Sequence, residues 1–325
     1  MSLMKTDRTN LVIVRTGSTS SHAQWHQKKT RNFDIVNLTY SLKHQYQDHY
    51  QDRIAYEEGA KNGAIFSWLQ KNISVFDDYE FIMLIDDDID TCHDDLDRLF
   101  QYAKLADFEI CQPALDQSSF FTLAITKRHP SFLHRWTNSV EIMCPIFKSS
   151  VLKKCMPTLE MNKEGGGNIE NLWNHACQRR IGGIAIIDKI SVHHNRETGS
   201  QGSGTKANSP VDPLSRQQMI SLMTCSFPMW NNICALKLNG TFIHFGEHNF
   251  LQQLADNIVD MGLQHHGQPP EGMKLNEKLV AENYLTSHAR THHASQNCPM
   301  PAELEAGLTE LKNCSKHLFT KLLNI

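Results

Sequence analysis

An apolar segment that ends in a run of acidic residues constrains this chain more than any other part of its sequence. Residues 79–85 (YEFIMLI) have the length and composition of a buried strand, and Asp86, Asp87 and Asp88, here called the acidic triplet, follow directly. Like charges packed this closely repel one another, so the triplet requires a compensating cation or an altered protonation state. Carboxylate oxygens suit Mg²⁺ or Mn²⁺, which commonly join protein carboxylates to substrate phosphates. The segment thus predicts a metal-assisted phosphate site, with a solvated helix N-terminus as the alternative because more aspartates follow.

The composition is that of an ordinary globular protein. The chain has 325 residues, of which 21% are charged and 40% apolar, and its formal net charge is −3. This balance gives no reason to expect a nucleic acid partner, and no apolar stretch approaches the roughly 20 residues of a transmembrane segment. The nine cysteines are odd in number and form no Cys-x-x-Cys pair, which indicates a reducing compartment. We therefore expect a cytoplasmic protein, with docking at the inner membrane surface left open.

Strand and helix patterns alternate along the first two thirds of the chain. Apolar runs typical of strands lie at 11–14, 33–38, 79–85, 108–112, 140–147 and 181–192, and periodic patterns predict helices over 55–70 and 94–104. This alternation is typical of βαβ units, which build a mainly parallel sheet with helices on both faces. We therefore predict an α/β domain over residues 4–205.

The C-terminal third has a different character. Residues 199–213 are rich in turn formers and predict a linker or a mobile loop. Beyond it, patterns predict helices over 215–224, 249–261, 275–288 and 302–323 and a strand pair near 235–244. We therefore predict a mostly helical region over residues 206–325.

Polar side chains follow several of the predicted strands, at the ends where open α/β sheets bind ligands. Arg15 and Thr16 follow the first strand, and His193 and His194 follow the strand at 181–192. Two aspartates of the acidic triplet and one histidine would make a coherent metal site, although a polar strand terminus is the alternative for each histidine. Glu170, after a glycine-rich loop, is either a general base or an acid that stabilises a helix start.

The acidic triplet resembles the Asp-x-Asp motif of GT-A glycosyltransferases. Further segments resemble an uncharacterised family of bacteria and plants, whose plant members are called lysine-ketoglutarate-reductase trans-splicing-related proteins. These segments are 108–116 (FEICQPALD), 126–130 (TKRHP), 137–147 (TNSVEIMCPIF), 184–188 and 192–196. The resemblance implies a GT-A-like fold and an enzyme that uses Mn²⁺ or Mg²⁺ to transfer a sugar from a nucleotide-sugar donor to a glycan, lipid or small-molecule acceptor.

The resemblance also implies roles for the residues at the acidic triplet. Asp88 would bind the metal directly, Asp86 would bind the metal or the donor ribose, and His194 would be the late metal ligand. Asp87 would be a further donor contact. Glu170 stands where inverting enzymes of this fold often keep their base, although the family's Gly-Trp-Gly-Leu-Asp is replaced here by a glycine run.

The remaining candidates follow from the same resemblance. Asp116 is the second catalytic candidate. The donor-binding candidates near the first strands are Arg15, Thr16 and Asp34. The acceptor-side candidates in and near the matching segments are His129, Arg135 and Glu141, and each has a buried structural role as its alternative.

Two other function classes fit the same residues. A metal-dependent phosphohydrolase or nucleotidyltransferase would use the same carboxylates on phosphate without moving a sugar. A non-catalytic nucleotide-sugar-binding module would keep the fold without turnover. The C-terminal region is a candidate for homodimerisation, acceptor binding or docking on a membrane surface.

Overall fold

The first strands of the chain form one parallel block. In the computed structural model, which describes residues 7–17, 20–26, 31–40, 53–121, 124–164, 169–178, 181–196, 232–244 and 302–325, β1 (Asn10–Thr16) lies between β2 (Phe33–Thr39) and β4 (Phe81–Asp86). β3 (Arg53–Tyr56) extends the block beyond β2. Strands buried on both faces read as nearly continuous apolar runs, which explains why β1 and β4 stand out in the sequence.

The second part of the sheet mixes strand directions. The short β8 (Ile146–Lys148) runs antiparallel between β4 and β6 (Ile110–Leu115), and β9 (Ile184–His194) lies parallel to β6. β7 (Phe132–Thr137) then joins β9 to the hairpin β10 (Asn232–Lys237) and β11 (Phe242–His244). The two-residue β5 (Ile89–Asp90) pairs with the end of β9.

Helices cover both faces of this sheet. They are α1 (Lys61–Lys71), α2 (Val75–Asp78), α3 (His93–Leu105), α4 (Ser149–Met161) and α5 (Ala302–Leu323), with 3-10 helices at His22–His26, Ala124–Thr126 and Ile169–Ala176. Among the described residues, no helix is both long and apolar enough to cross a membrane.

Alternation along β4 divides the apolar core into two layers. Met83 and Ile85 face the layer that contains side chains of α3 and α5, whereas Ile82 and Leu84 face the layer built by α1, α2 and α4. Burying each such aliphatic side chain contributes about 1.5–3 kcal/mol, so both layers stabilise the central strands. The predicted α/β class, with a mainly parallel sheet and helices on both faces, is confirmed.

The structure corrects the predicted helix over 55–70. The helix begins only at Lys61, and residues 53–56 form β3 instead. Gly59 separates the two elements with a φ of +94°, a backbone conformation that glycine adopts without the strain a side chain would bring. β7 and α4 were not predicted, although α4 begins immediately after β8.

The described parts of the C-terminal third belong to the same sheet and core as the rest. The predicted strand pair is confirmed, and β10 pairs with β7. The predicted helix over 302–323 is also confirmed, and its Leu308, Leu311 and Leu322 pack in the layer with α3. The predicted elements at 199–213, 215–224, 249–261 and 275–288 lie outside the described residues.

Candidate functional site

The acidic triplet lies at the carboxyl edge of the sheet, beside the end of β9. Asp86 is the last residue of β4 and pairs in register with Arg15 of β1. The chain turns at Asp87 and Asp88 and enters β5, whose Ile89 pairs with His194. The Asp88 carbonyl accepts a hydrogen bond of 3.1 Å from the backbone N–H of Asn195. Two elements far apart in sequence are thereby joined, which brings the triplet to the end of β9.

His194 and Asp88 face each other across this junction. His194 Nε2 lies 3.4 Å from Asp88 Oδ2, and His194 Nδ1 lies 3.0 Å from the carbonyl oxygen of Phe120. Because a carbonyl only accepts, Nδ1 donates this bond, and in the neutral ring Nε2 carries the lone pair that faces Asp88. Burial lowers the pKa of His194, but its hydrogen bond and charge interaction with Asp88 outweigh this effect, so the pKa lies above the usual value. The same contacts lower the pKa of Asp88 although burial raises it.

This pair fits a divalent cation that is held partly by a substrate. Asp88 Oδ1 is buried and has no hydrogen-bond partner among the described residues, so a carboxylate oxygen is available beside an imidazole nitrogen. The described residues contain no group of three or more His, Cys, Asp or Glu side chains arranged to hold a metal ion. Mg²⁺ and Mn²⁺ are often bound by one or two protein ligands, water and substrate phosphates, and Asp88 with His194 would provide such a set.

Asp86 has a lysine as its partner. Its Oδ1 lies 2.6 Å from Nζ of Lys61, the first residue of α1. Burial raises the pKa of Asp86, an effect opposed by this lysine. The predicted role of Asp86 as a direct metal ligand therefore gains no support from the geometry, because the carboxylate is already balanced by a cation of the protein.

Asp87 joins two loops of the site. One of its carboxylate oxygens accepts a 2.7 Å hydrogen bond from the backbone N–H of Gly17, and the other lies 3.7 Å from Nη2 of Arg196. Its carbonyl accepts a 2.6 Å bond from the N–H of Ser21. A Cβ atom at Gly17 would collide with the hydroxyl of Tyr40, so a larger residue there would displace this exposed side chain. Asp87, predicted as a donor contact, therefore fixes the loop after β1 to the end of β9.

Two other donor-binding candidates, Arg15 and Thr16, lie at the end of β1. The guanidinium of Arg15 is buried, and three of its five N–H donors bond to the carbonyl oxygens of Leu38, Glu57 and Gly59. Thr16 is fully buried, and its hydroxyl has no partner among the described residues. The direct nucleotide contact predicted for Arg15 gains no support from this arrangement and stays a prediction.

Asp34 lies near the amino ends of the parallel strands, whereas the acidic triplet lies at their carboxyl ends. It is the second residue of β2 and pairs in register with Leu11, whereas Thr39, at the other end of β2, pairs with Thr16. A strand rises about 3.3 Å per residue, so Asp34 is on the order of 17 Å from that end. Its carboxylate accepts hydrogen bonds from Arg8 and from the hydroxyl of Tyr79. The prediction that Asp34 binds the donor therefore gains no support from the geometry and stays a prediction.

Asp116 pairs with the other histidine of β9, His193. His193 Nδ1 lies 3.1 Å from each carboxylate oxygen of Asp116. Successive side chains of a strand point to opposite faces, so His193 and His194 contact different carboxylates. Asp116 Oδ1 also accepts bonds from the backbone N–H groups and hydroxyls of Ser118 and Ser119. Burial raises the pKa of Asp116, but His193 and the serine hydroxyls outweigh this and lower it. A carboxylate stabilised in its ionised form is a weak proton acceptor, so the catalytic role of Asp116 stays a prediction without geometric support.

Glu170 lies in the 3-10 helix Ile169–Ala176 and is buried. Its neighbours Ile169, Leu172 and Trp173 belong to the core layer that contains α4, and Trp173 Nε1 donates a 3.0 Å hydrogen bond to Thr158. The glycine run before it, at 165–168, lies outside the described residues. Its role as a base stays a prediction.

The three acceptor-side candidates are all buried. Arg135 forms an ion pair with Asp188, and His129 stacks on Phe132 at a ring distance of 3.6 Å, so these two act in the packing of β7 and β9. Glu141 lies closer to the triplet in the fold, because its backbone N–H donates to Gln112 and the residue after it, Ile142, contacts Lys61. Glu141 is thus the acceptor-side candidate that the geometry favours.

Lys61 is a residue of this site that the sequence did not indicate, whereas Arg196 belongs to the matching segment 192–196 but was given no role of its own. The side chain of Lys61 is 20% exposed and contacts Asp86, and Arg196 lies two residues after the end of β9. The sequence offered no local signal for Lys61, because the predicted helix over 55–70 placed this residue in a helix interior rather than at the helix start.

Comparisons with known proteins give structural likenesses only. No protein-family model matches the chain, and no curated protein matches it. Among solved structures, S. aureus TarS 1-349 in complex with UDP-GlcNAc has a TM-score of 0.44 and 11% identity, covering 97% of this chain and 90% of that one. The complex of TarS 1-349 with UDP gives 0.42 and 11% over 98% and 90%. S. aureus TarS itself gives 0.43 and 12% over 97% and 55%. At these scores and identities the likenesses carry no conclusion about the activity of this chain, and the family resemblance seen in the sequence stays a prediction.

Proposed function

We propose that this chain is a metal-dependent glycosyltransferase that takes its sugar from a nucleotide-sugar donor. The observation that carries the proposal is the meeting of Asp88 and His194 at the carboxyl edge of the sheet, with a buried carboxylate oxygen available beside the imidazole. Carboxyl edges of parallel strands are where open α/β sheets bind their ligands. The segments that resemble the uncharacterised family of bacteria and plants contribute β6 and β9, which are neighbouring strands.

The proposed chemistry follows from the residues at this edge. Asp88 and His194 would hold a divalent ion, which when bound neutralises charge that develops on a diphosphate leaving group. Asp87 holds the loop after β1 beside the acidic triplet through the backbone N–H groups of Gly17 and Ser21, and in this proposal that loop would border the phosphates of the donor. In an inverting reaction a carboxylate removes the proton from the acceptor hydroxyl, and Glu170 is the candidate for that step. The acceptor would be a glycan, a lipid or a small molecule that carries a hydroxyl group.

A thermal-shift panel tests the donor site. UDP, GDP, CDP and their sugars are each added with and without Mn²⁺, because a ligand that binds only the folded state raises its stability by about 2.7 kcal/mol at a hundredfold excess over Kd. We expect a metal-dependent shift with one nucleotide and its loss in Asp88→Asn. Asp77→Asn, which changes an exposed aspartate of α2, is the control that keeps the shift. No shift with any nucleotide, in folded protein, would count against the proposal.

An activity measurement separates transfer from hydrolysis. The nucleotide-sugar that gives a shift is incubated with candidate acceptors, and release of nucleoside diphosphate is followed with and without them. A transferase releases it faster in the presence of its acceptor and forms a glycosylated product. Cleavage that no acceptor accelerates would favour a phosphohydrolase, and binding without any release would favour a non-catalytic module.

A further inference from the structure

Lys61 stands at a position that helix formation does not explain. It is the first residue of α1, where the helix dipole disfavours a positive side chain. Its ammonium lies 2.6 Å from Asp86 Oδ1 and 2.7 Å from the carbonyl oxygen of Ile142, and the side chain is only 20% exposed. Lys61 is thus largely removed from water at a place where the helix dipole disfavours its charge. Such a local conflict is typical of residues that serve a functional site.

The ammonium of Lys61 has one hydrogen bond left to give. A lysine ammonium carries three N–H donors and no acceptor. Asp86 and Ile142 take two of them, and the described part of the chain offers no third acceptor within hydrogen-bond distance. The third donor is therefore available to a ligand that enters beside the acidic triplet.

The charges around Lys61 match an anionic ligand that arrives with a divalent cation. The three carboxylates of the acidic triplet are opposed by Lys61 and Arg196, which leaves one negative charge when His194 is neutral. A divalent cation and the diphosphate of a nucleotide-sugar bring opposite charges of equal size, so the balance is kept when both bind. Without Lys61, the loaded site would hold one more uncompensated negative charge in a partly buried place, where charges interact strongly.

The position of Lys61 is fixed by the residues around the start of α1. Arg15 donates to the carbonyls of Glu57 and Gly59, at 2.7 Å and 2.8 Å, and thereby holds the segment that leads into the helix. On the other side, Ile142 lies in a segment that runs beside the end of β4, where the carbonyl of Met143 accepts a 2.8 Å hydrogen bond from the N–H of Asp86. The ammonium is thus held in place before any ligand binds, which reduces the entropy lost on binding.

We infer that Lys61 is a phosphate-binding residue of the donor site, whose ammonium donates its third hydrogen bond to a diphosphate oxygen of the nucleotide. This inference rests on the proposed function, because it names a contact for the donor of that reaction. Two cations would then neutralise the diphosphate: the ammonium of Lys61 on one side, and the ion that Asp88 and His194 would hold on the other.

Calorimetric titration of matched lysine variants tests the inference. UDP, GDP and CDP are titrated in the presence of Mg²⁺ into the wild type, Lys61→Met and Lys71→Met, and uridine, guanosine and cytidine are titrated as ligands that lack phosphate. Lys71 is the matched control because it lies at the other end of α1 and also forms an ion pair, with Glu57. We expect Lys61→Met to weaken nucleoside diphosphate binding by at least about tenfold and to leave nucleoside binding unchanged, since a hydrogen bond to a charged group is lost. Lys71→Met should alter neither.

The possible outcomes separate this inference from the proposed function. Equal diphosphate affinity of the wild type and Lys61→Met would overturn the inference alone. Failure of the wild type to bind any of the three diphosphates would overturn the proposed function and the inference with it. Should Lys61→Met not fold by circular dichroism, Lys61→Gln keeps hydrogen-bonding capacity without the charge, and it should show the same selective loss of diphosphate affinity. Full diphosphate affinity in folded Lys61→Gln would also contradict the inference.

Discussion

Arg135 and Asp188 form an ion pair in which neither side chain is more than 1% exposed. Nε and Nη2 of Arg135 donate to the two carboxylate oxygens at 2.9 Å, and its other N–H groups donate to the carbonyls of Ile125 and Lys127. The backbone N–H of His129 donates to the same carboxylate at 2.7 Å. The pair therefore joins β7, β9 and the segment between β6 and β7, and these contacts use four of the five N–H donors of Arg135.

Removing one partner of this pair should strongly destabilise the fold. In Asp188→Asn the guanidinium of Arg135 stays buried without its counter-charge, and breaking a buried pair in this way costs about 3–5 kcal/mol. The free energy of unfolding, measured by urea denaturation, should fall by this amount. Lys104→Ala, which removes an exposed pair with Glu80, should change it by less than about 1 kcal/mol. Equal effects of the two substitutions would contradict the structural role.

His194 and His193 should differ in their effect on metal binding. His194 Nε2 faces Asp88, whereas His193 lies on the other face of β9 with Asp116. We therefore expect His194→Gln to weaken Mn²⁺ binding by at least about tenfold in the presence of the nucleotide that binds the wild type, as loss of a ligand or its support commonly does. His193→Gln is the matched control and should bind Mn²⁺ like the wild type. Electron paramagnetic resonance of free Mn²⁺ measures both, and a stronger effect at His193 would reverse the assignment.

The features that sequence patterns identified are those that local periodicity determines. β4 and the acidic triplet were found because a strand buried on both faces is a continuous apolar run, and α5 was found because its buried leucines recur at helical spacing. β7 escaped because His134 and Arg135 interrupt its apolar pattern. Both side chains are buried, and their partners Tyr102 and Asp188 come from distant elements.

The candidate site residues that the sequence predicted lie at strand ends, whereas the residue that it missed is positioned by tertiary contacts. Asp88 and His194 stand at the ends of β4 and β9, so the topology of parallel strands brings them together. Lys61 was missed because its partners Asp86 and Ile142 lie far from it in the sequence. Asp34 was assigned to the donor although the predicted strand over 33–38 already put it near the strand's first residue, and the register of β1 with β2 places it away from the carboxyl ends.

Asp34 provides a negative control for the proposed donor site. Because its carboxylate pairs with Arg8 and Tyr79 at the amino edge of the sheet, Asp34→Asn should leave nucleotide affinity unchanged within about twofold. The substitution weakens one charged hydrogen bond and should lower the free energy of unfolding by about 1–2 kcal/mol. Calorimetric titration and urea denaturation measure the two quantities. A selective loss of nucleotide affinity without loss of stability would return Asp34 to the donor site.

The C-terminal helix should contribute to the stability of the whole fold. Leu311 of α5 is 7% exposed in the core layer, and a Cβ atom at Gly182, which precedes β9, would collide with it. Leu311→Ala should therefore lower the free energy of unfolding by about 2–5 kcal/mol in a single cooperative transition. The neighbouring exposed residue gives the control, since Lys312→Ala removes no buried surface. Loss of α5 signal in a separate, earlier transition would show instead that the helix is an independent unit.

His134 should make the fold sensitive to acid. Its ring is buried among aromatic side chains, with Nδ1 2.8 Å from the hydroxyl of Tyr102, and burial lowers its pKa from 6.5 to about 3. Above pH 6.5 the ring is neutral in both the folded and the unfolded chain, so it gives no pH dependence there. Below pH 6.5 the unfolded chain binds a proton that the folded chain does not, so stability falls as the pH drops from 6.5 towards 3. Between pH 8 and pH 5 this group alone should remove about 2 kcal/mol.

The substitution His134→Gln isolates this contribution, because glutamine does not titrate and its side-chain amide has both a donor and an acceptor for a hydrogen bond with the hydroxyl of Tyr102. The free energy of unfolding is measured by urea denaturation at pH 5, 6, 7 and 8 for both proteins. Other titrating groups act equally in the two, so the difference between their pH profiles reports His134. We expect the wild type to lose about 2 kcal/mol more than the variant between pH 8 and pH 5, most of it below pH 6.5. Parallel profiles would mean that the folded protein accommodates a charged ring at this position.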